Sequence, residues 1–304
     1  MNKLYVGVLA VAATACGAMA QSRMIAVDSS RVLYEVNIVT GAKTQIATIT
    51  SNAGTTAGLA YDCETGTVYL TSTGNDSLYK LDVATGVATL VGAYGDSAVV
   101  MHGLEWHPPT HSLYGISSHN NGLYSINPQT GVATLIGSSG LTSFSNLVWS
   151  PRSNIMYSTN SGSDSFYQIN LETGAATLIG ALNGPTNPNG LAFNTDNGQI
   201  YLVCNNTDTL YTIDTETGAA TSIGSTGAGN LLGLAWVTPP CGGGCNADVN
   251  QDGNADQGDV DYLINVVAGG ENPTGIDPDF NRDGNTDQGD IDALINVVAG
   301  GNCP

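Results

Sequence analysis

Two stretches near the C-terminal end of the sequence carry oxygen-bearing side chains at the spacing of a cation-binding loop. They run from Asp248 to Asp259 and from Asp279 to Asp290. A twelve-residue loop of this kind offers oxygen ligands to Ca²⁺ from positions 1, 3, 5, 7, 9 and 12, with a glycine at position 6 for the turn. Gly253 and Gly284 occupy that position. The predicted ligands, for two calcium ions, are Asp248, Asn250, Asp252, Asn254 through its carbonyl, Asp256 and Asp259, and then Asp279, Asn281, Asp283, Asn285, Asp287 and Asp290.

Each loop is followed by apolar residues at the spacing i, i+3, i+4, i+7, which predicts one amphipathic helix after each loop. The Gly269-Gly270 and Gly300-Gly301 pairs are expected to end the helices. Because the two copies are 31 residues apart in the same register, we expect their apolar faces to pack together once the loops hold metal. The predicted apolar faces are Val260, Leu263, Ile264 and Val267, and Ile291, Leu294, Ile295 and Val298.

The acidic residues are concentrated in the same region. The formal net charge is −19, and residues 238–304 contain twelve acidic side chains and one basic, against fourteen and five in residues 21–237. Carboxylates at that density repel one another, so we expect a cation to be needed before the segment becomes compact. No basic patch is available to neutralise phosphates, which argues against nucleic acid as a partner.

The paired loops resemble a type I dockerin in their duplicated Asp-x-Asn-x-Asp-Gly pattern, the Asp at position 12 and the single helix after each loop. The resemblance implies a small α-helical domain with EF-hand-type loops at 246–304, two Ca²⁺ ions, and docking of a helix face on a cohesin-like or other extracellular protein. Dockerins often carry Ser or Thr at loop positions 10 and 11, where this chain has Gln257-Gly258 and Gln288-Gly289. That departure leaves calcium binding unaffected and bears on the identity of the partner.

The chain before this region repeats itself. A Leu-Tyr or Phe-Tyr pair, an Asn or Asp three residues later and a Thr-Gly pair recur at tyrosines spaced 45, 45, 43 and 44 residues apart. The full unit consists of a Gly-Leu-Ala-aromatic strand, two further strands, and an Ala-Thr-x-Ile-Gly strand, which is the pattern of a four-stranded propeller blade. The repeated tyrosines are Tyr34, Tyr79, Tyr124, Tyr167 and Tyr211. The Asn and Asp residues that follow are predicted to be structural, since they stabilise tight turns.

The ends of the repeat region predict how the ring closes. The first unit lacks its Gly-Leu-Ala-aromatic strand, and that strand occurs last, as Gly233 to Trp236. We therefore predict a mainly β fold, a five-bladed propeller over 21–237 closed by its C-terminal strand, which leaves no unpaired inner edge. A Pro/Gly/Cys linker over 238–245 joins it to the 246–304 module.

The repeats resemble the YVTN and quinoprotein-like propeller families, most clearly at Ile200 to Gly218 and its counterparts. The similarity covers about 215 residues and implies a fold. No position matches a cofactor ligand of those families, so the resemblance implies no cofactor and no substrate.

One unit departs from the repeat in a way that could matter for chemistry. Where the other inner strands have Ala60, Val148, Ala192 and Ala235, the third unit has Glu105, and all four histidines, His102, His107, His111 and His119, lie in the same unit. One interpretation is a transition-metal site. The other is that His107 and His111 flank a surface turn while His102 and Glu105 hydrogen-bond in the ring mouth.

No catalytic constellation is evident in the repeats. Glycoside hydrolysis needs two facing carboxylates, and Glu105 has no obvious partner, since Asp62, Asp196 and Asp214 lie at predicted turns. The segments that lead into the inner strands differ from repeat to repeat, as at Thr55–Ala57 and Asn187–Asn189. We predict that a glycan or protein ligand would bind where these segments meet.

The first twenty residues read as a secretory signal peptide, with Lys3, an apolar run to Ala15 and a small-residue site before Gln21. Ala13 to Cys16 is a competing lipoprotein signal. No later segment reaches the roughly 18 to 20 apolar residues of a membrane span. We therefore expect a secreted or extracellular protein, with the cell surface or periplasm as alternatives.

Export permits disulfides. Cys241, Cys245 and Cys303 bracket the C-terminal module, and Cys245 with Cys303 is the preferred pairing, with Cys241 as the alternative. Cys63 and Cys204 are interpreted as buried apolar residues.

Together these features predict a secreted calcium-binding protein whose non-catalytic propeller is attached to an extracellular partner through the dockerin-like module. The alternative is an enzyme or accessory subunit of extracellular polysaccharide degradation.

Overall fold

A computed structural model of the chain describes residues 22–97, 99–239, 247–281 and 285–301. The predicted signal peptide, most of the linker, Cys241, Cys245, Cys303 and the loop residue Asp283 lie outside these ranges. Twenty strands and two α-helices are defined in the described residues. No helix among them is long and apolar enough to cross a membrane.

The strands form five antiparallel four-stranded sheets, which are the five predicted blades. In chain order they are β1 Arg23–Asp28, β2 Val32–Val36, β3 Lys43–Thr48, β4 Thr56–Asp62, β5 Thr67–Ser72, β6 Ser77–Leu81, β7 Ala88–Ala93, β8 Met101–His107, β9 Ser112–Ser117, β10 Gly122–Ile126, β11 Ala133–Ser138, β12 Phe144–Ser150, β13 Ile155–Asn160, β14 Ser165–Ile169, β15 Ala176–Ala181, β16 Pro188–Asn194, β17 Gln199–Cys204, β18 Thr209–Ile213, β19 Ala220–Ser225 and β20 Leu231–Val237. Short 3₁₀ helices cover Ser51–Ala53 and Pro108–Thr110.

The ring closes as the sequence predicts. β20 pairs antiparallel with β1, from Arg23 opposite Val237 to Asp28 opposite Leu231, and so completes the first blade with the last strand. The five innermost strands, β4, β8, β12, β16 and β20, contact one another in a closed circuit. Glycines allow their close approach: a Cβ added to Gly233 would lie 2.4 Å from the Ala57 carbonyl oxygen.

The repeated Asn and Asp residues have the structural role that the sequence predicts. In each of the five turns one side-chain oxygen accepts hydrogen bonds of 2.9–3.1 Å from the backbone N–H groups two and three residues later. For Asp82 and Asp214, these backbone hydrogen bonds hold the pKa of the carboxyl below its usual value. The five turn residues are Asn37, Asp82, Asn127, Asn170 and Asp214.

The C-terminal region contains two helices, α1 Gln257–Val267 and α2 Gln288–Val298. Each begins with a capping box, in which Asp256 or Asp287 is the N-cap and the residue three positions later bonds back to the N-cap N–H. Both are followed by a glycine in the left-handed conformation, Gly269 at φ 86° and Gly300 at φ 87°.

The two helices pack together around Val260, Leu263, Ile291 and Leu294, with Ala247 and Val249 completing the buried cluster. The prediction of the apolar faces was wrong in one respect. Ile264 and Ile295 are 44% and 47% exposed, because the contact between the helices uses a narrower stripe than the i, i+3, i+4, i+7 pattern suggests.

The interpretation of the cysteines was right for Cys204 and wrong for Cys63. Cys204 is a free, buried thiol whose Sγ donates to the Thr186 carbonyl oxygen at 2.6 Å. Cys63 lies in the turn after β4 and is disulfide-bonded. Its bonding partner lies outside the described residues, since Cys204 is free. A turn at the ring surface leaves Cys63 open to a cross-link that a strand interior would prevent.

Candidate functional site

A cavity of about 450 Å³ lies where the five innermost strands end. Its wall is built from the last residues of β4, β8, β12, β16 and β20, from residues that follow these strands, and from Ser22. The residues that follow the strands are Cys63, Pro108, Pro151, Thr195, Asp196 and the segment Thr238–Pro239. That volume lies within the usual range for a small-molecule site. The prediction placed ligand binding at the opposite mouth, where the inner strands begin. At that mouth the Thr73 N–H donates to the Thr55 carbonyl oxygen at 2.8 Å, and ligand binding there stays a prediction.

Each blade contributes one aromatic residue to the cavity wall. These residues occupy the last position of the repeated Gly-Leu-Ala-aromatic pattern and are Tyr61, Trp106, Trp149, Phe193 and Trp236. The protein has three tryptophans in all, and all three line this cavity. The aromatic rings are fixed by packing between blades: Trp106 is stacked on Tyr69 of the preceding blade, with ring centroids 6.4 Å apart.

The indole N–H groups of Trp106 and Trp236 are buried against protein and have no hydrogen-bond partner among the described residues. The parts of these rings that face the cavity are therefore carbon. Two other polar groups of the wall are already bonded, because the Tyr61 hydroxyl donates to the Thr238 carbonyl oxygen at 2.6 Å and the Thr238 hydroxyl donates to the Pro239 carbonyl oxygen at 2.7 Å. The wall is thus mainly apolar.

Asn146 spans the centre of the ring. It replaces the glycine that the other inner strands have at this position, and its side chain is fully buried. Its Oδ1 accepts from the Leu104 N–H at 3.3 Å in the neighbouring blade. Its Nδ2 donates to the Leu232 carbonyl oxygen at 3.4 Å, in a blade that is not adjacent to its own. The amide therefore links three blades across the ring axis, at the level where the inner strands begin.

Glu105 is the residue of greatest chemical interest in the cavity. It lies at the position where the other inner strands have alanine or valine, and its half-buried side chain lines the cavity. Burial raises the pKa of its carboxyl well above the ordinary value, opposed in part by a hydrogen bond from the Trp149 backbone. No Lys, Arg or His side chain lines this part of the described structure.

Asp196 reaches the same cavity from the turn after β16. The sequence suggested no carboxylate partner for Glu105, because Asp196 lies in a different repeat. The closure of the ring brings the two residues to one cavity, with Glu105 half-buried and Asp196 exposed to solvent.

The four histidines do not converge on Glu105. The Nδ1 atom of His102 is 2.8 Å from the Ser118 hydroxyl, and burial lowers the pKa of its imidazole. His107 is buried, edge-on to Trp149 at a centroid distance of 4.2 Å, so its predicted surface position was wrong. His111 is exposed and lies 3.0 Å from Glu64. Among the described residues no three acidic, His or Cys side chains form a metal-binding group.

The described parts of the two C-terminal loops are organised around a buried carboxylate. Asp259 and Asp290, at position 12, have no exposed surface. The two oxygens of Asp259 accept from the N–H groups of Asn250 at 3.0 Å and Asp256 at 2.8 Å. Those of Asp290 accept from Asn281 at 3.0 Å and Asp287 at 2.8 Å. In the first loop Asp248 accepts from the N–H groups of Asp252 and Gly253, each at 3.0 Å.

The fold and the cavity define a five-bladed β-propeller with a ligand-sized pocket at one mouth. A family model described as a repeat of unknown function, DUF6923, matches residues 107–230, a segment that runs from the end of β8 to the loop before β20. It supports the repeat architecture. No curated protein matches the chain.

Several solved structures have the same fold. A structure of the nidogen/laminin complex is similar over 72% of this chain and 100% of its own, with 13% identity and a TM-score of 0.53. A protein of unknown function from Bacteroides thetaiotaomicron is 16% identical over 71% of this chain and 65% of its own, with a TM-score of 0.51. A symmetrical protein from work on the de novo evolutionary emergence of such proteins is 22% identical over 72% of this chain and 99% of its own, with a TM-score of 0.50. At these identities the likeness concerns the fold alone.

Proposed function

We propose that this chain is a secreted, non-catalytic binding protein. Its propeller holds a small ligand in the cavity at the ends of the inner strands, and its C-terminal module binds calcium and attaches the propeller to an extracellular partner.

The observation that carries the propeller half of the proposal is the cavity itself. It is concave, of ligand size, lined by one aromatic residue from each blade, and contains one half-buried carboxyl group at Glu105. A largely apolar wall with a few directed polar groups is typical of a small-molecule site. The inner strands that carry these residues are held on both sides by neighbouring blades, so the site is preformed.

The donors of the C-terminal loops are of the chemical kind that calcium takes, although no three acidic side chains of the described residues are grouped as a metal site. The predicted ligands are all carboxylate, amide or carbonyl oxygens, which are the donors that Ca²⁺ prefers. Asp259 and Asp290 are fully buried carboxylates, and from residue 247 onward the sequence has one basic side chain, Arg282, against twelve acidic ones. Each carboxylate oxygen has lone pairs beyond those used by the backbone N–H groups. A bound cation would neutralise these charges, whose burial is otherwise costly.

The residues proposed to hold the first ion are Asp248, Asn250, Asp252, Asn254, Asp256 and Asp259, and their counterparts 31 residues later would hold the second. When bound, the metal supplies charge neutralisation and a fixed loop shape. The chain's own residues then cap the helices, through Asp256 for α1 and Asp287 for α2.

Attachment to a partner is proposed from the resemblance to dockerins and from the exposed helix residues. Ile264 and Ile295 are exposed at equivalent positions of α1 and α2. Gln257 bonds Asp261 within its own helix at 3.1 Å, and Gln288 bonds Asp292 in the same way at 3.0 Å. The two helices therefore offer two equivalent faces to a cohesin-like or other extracellular protein.

The proposal is tested with the full-length chain. We expect some member of a panel of extracellular metabolites and glycans to change the tryptophan fluorescence saturably and to be recovered unchanged. Recovery of a chemically altered ligand would overturn the non-catalytic assignment.

For the module, immobilised protein should capture a partner in calcium and release it in chelator. A partner retained equally in chelator, or by the Asp248→Ala, Asp279→Ala variant, would contradict calcium-dependent attachment.

A glycan-processing enzyme is the second candidate, and one observation favours it. Glu105 and Asp196 line the same cavity, and their environments differ, since burial raises the pKa of the Glu105 carboxyl while Asp196 is exposed. A protonated acid and an ionised carboxylate are the two groups that glycoside hydrolysis uses. Release of sugar from the glycan panel by the wild type, and its loss in Glu105→Gln, would decide for this candidate.

A further inference from the structure

The cavity contains a carboxyl group without a counter-charge. Glu105 is half-buried and lines the cavity together with Trp106 and Trp149, and no basic side chain is found among the described residues of the wall. A carboxylate that is partly removed from water without a cation nearby is destabilised, and protonation is one way in which the protein relieves this. The other way is a ligand that carries the missing positive charge.

The remainder of the wall favours a ligand with few hydrogen-bonding groups. The Tyr61 and Thr238 hydroxyls already donate to backbone carbonyls, and the indole N–H groups of Trp106 and Trp236 are not open to the cavity. A sugar would bring many hydroxyls into a wall with few free partners, and each unpaired hydroxyl costs free energy. Carbon-bearing aromatic surface suits alkyl groups, and aromatic rings attract organic cations.

The charge of the propeller also favours a cation. Residues 21–237 contain fourteen acidic and five basic side chains, so the field around the ring is negative and raises the local concentration of cations. Asp196 adds an exposed carboxylate at the rim of the cavity itself. A small anion would be repelled by this field.

We propose that the cavity binds a compact organic cation, an alkylated ammonium compound whose charge contacts the Glu105 carboxylate and whose alkyl groups contact the aromatic wall. This inference rests on the proposed ligand-binding role of the cavity and names the chemical class of the ligand. Binding ionises Glu105 and releases its proton to solvent, so charge and protons balance.

The three tryptophans, which all line the cavity, provide the readout. The full-length chain is titrated with choline, with benzyltrimethylammonium and with 3,3-dimethylbutan-1-ol, which is the neutral carbon isostere of choline. We expect saturable fluorescence changes with both cations and affinity for choline about tenfold or more above that for the isostere, a difference of about 1.4 kcal/mol.

The same titrations are repeated on Glu105→Gln, which keeps the shape of the side chain, and on Glu105→Ala, which restores the residue found in three other blades. Both should lose about tenfold or more in affinity for choline. Glu172→Gln removes the same charge from an exposed turn of the fourth blade and should bind as the wild type does. It controls for the loss of one negative charge.

The affinity for choline should also rise with pH as Glu105 ionises, because the cation binds the carboxylate form. The other titratable groups of the wall are Tyr61 and Asp196. Behind the wall, His107 packs edge-on to Trp149, where burial lowers the pKa of its imidazole, and Arg152 lies beside Gly198. Burial raises the pKa of Tyr61 above its ordinary value, so it stays neutral, and Asp196→Asn repeats the pH series without the second carboxylate.

Equal binding of choline and its isostere, or equal binding by wild type and Glu105→Gln, would overturn the proposal that the ligand is a cation held by Glu105. The proposal that the cavity binds a small ligand would be unaffected. The absence of any saturable signal from either cation would overturn the inference as well. The panel experiment under the proposed function then decides separately whether the cavity binds ligands of another class.

Discussion

The Tyr61 hydroxyl donates a hydrogen bond of 2.6 Å to the Thr238 carbonyl oxygen. Tyr61 is the aromatic residue that the second blade contributes to the cavity, and Thr238 directly follows β20, the strand that closes the ring. The contact therefore joins the closing strand to the next blade at the cavity rim, 177 residues apart in sequence.

Tyr61→Phe should weaken the closure of the ring. It removes the hydroxyl and leaves the Thr238 carbonyl without this donor, which costs about 1 kcal/mol. We expect a lower urea midpoint with an unchanged slope. Tyr94→Phe is the matched control: its hydroxyl is buried without a partner among the described residues, so its removal should be neutral or stabilising. Equal losses in the two variants would contradict a role for the Tyr61 contact.

The number of blades and the closing strand could be predicted because the repeat fixes them. Five tyrosines at nearly constant spacing predict five sheets, and the displaced Gly-Leu-Ala-Trp segment at Gly233 predicts that the last strand completes the first blade. These are local patterns repeated along the chain, and they depend little on which other residues come into contact.

The sequence indicated some of the residues that line the cavity, but not how these residues come together. The aromatic residue that ends each inner strand, and Glu105 as a break in the repeat, were both apparent. Alignment of the five repeats could have indicated that the aromatic positions lie at one mouth. The presence of Glu105 and Asp196 in one cavity and the burial of His107 depend on how the blades close on one another, which no local pattern specifies. The same holds for the disulfide at Cys63.

Gly131→Ala should be strongly destabilising, because this turn glycine meets two constraints. Its φ is +78°, and an added Cβ would lie 2.4 Å from the Gly92 carbonyl oxygen in the neighbouring blade. Gly140→Ala separates these effects, since Gly140 has φ +74° with nothing within 4 Å. We expect a loss of about 1 kcal/mol at Gly140 from backbone strain alone, and a clearly larger loss at Gly131, measured by urea unfolding. Similar losses at both sites would mean that the contact between blades relaxes without cost.

Glu105 should make the stability of the propeller fall as pH rises. Its pKa in the folded state is raised by burial, so above the ordinary pKa of glutamate the unfolded chain ionises this group while the folded chain keeps it protonated. The contribution of Glu105 to the free energy of unfolding is therefore complete below the pKa that this carboxyl has in the unfolded chain. It is lost as pH rises towards the pKa that the carboxyl has in the folded chain, and the free energy of unfolding falls by at most about 1.4 kcal/mol per pH unit.

The measurement for this prediction is urea unfolding of wild type and Glu105→Gln between pH 4 and pH 8. The glutamine variant should gain stability relative to the wild type as pH rises, and subtraction removes the titration of all other carboxyl groups. A difference that stays constant across this range would show that Glu105 is ionised in the folded state.

The last prediction concerns the calcium loops. Asp248→Ala with Asp279→Ala removes the first predicted ligand of both loops and should lower calcium affinity about tenfold or more, while the far-ultraviolet circular dichroism of the propeller strands is unchanged. The control is Asp261→Asn with Asp292→Asn, which removes the same number of charges from exposed helix positions outside the predicted ligand set. Calorimetric titration of calcium into the three proteins separates ligand loss from charge loss. Since the module has one basic side chain, Arg282, against twelve acidic ones, general charge reduction alone should relieve repulsion and favour folding of the module. Equal calcium binding by all three proteins would therefore exclude Asp248 and Asp279 as ligands, whereas a loss confined to the alanine pair would assign them.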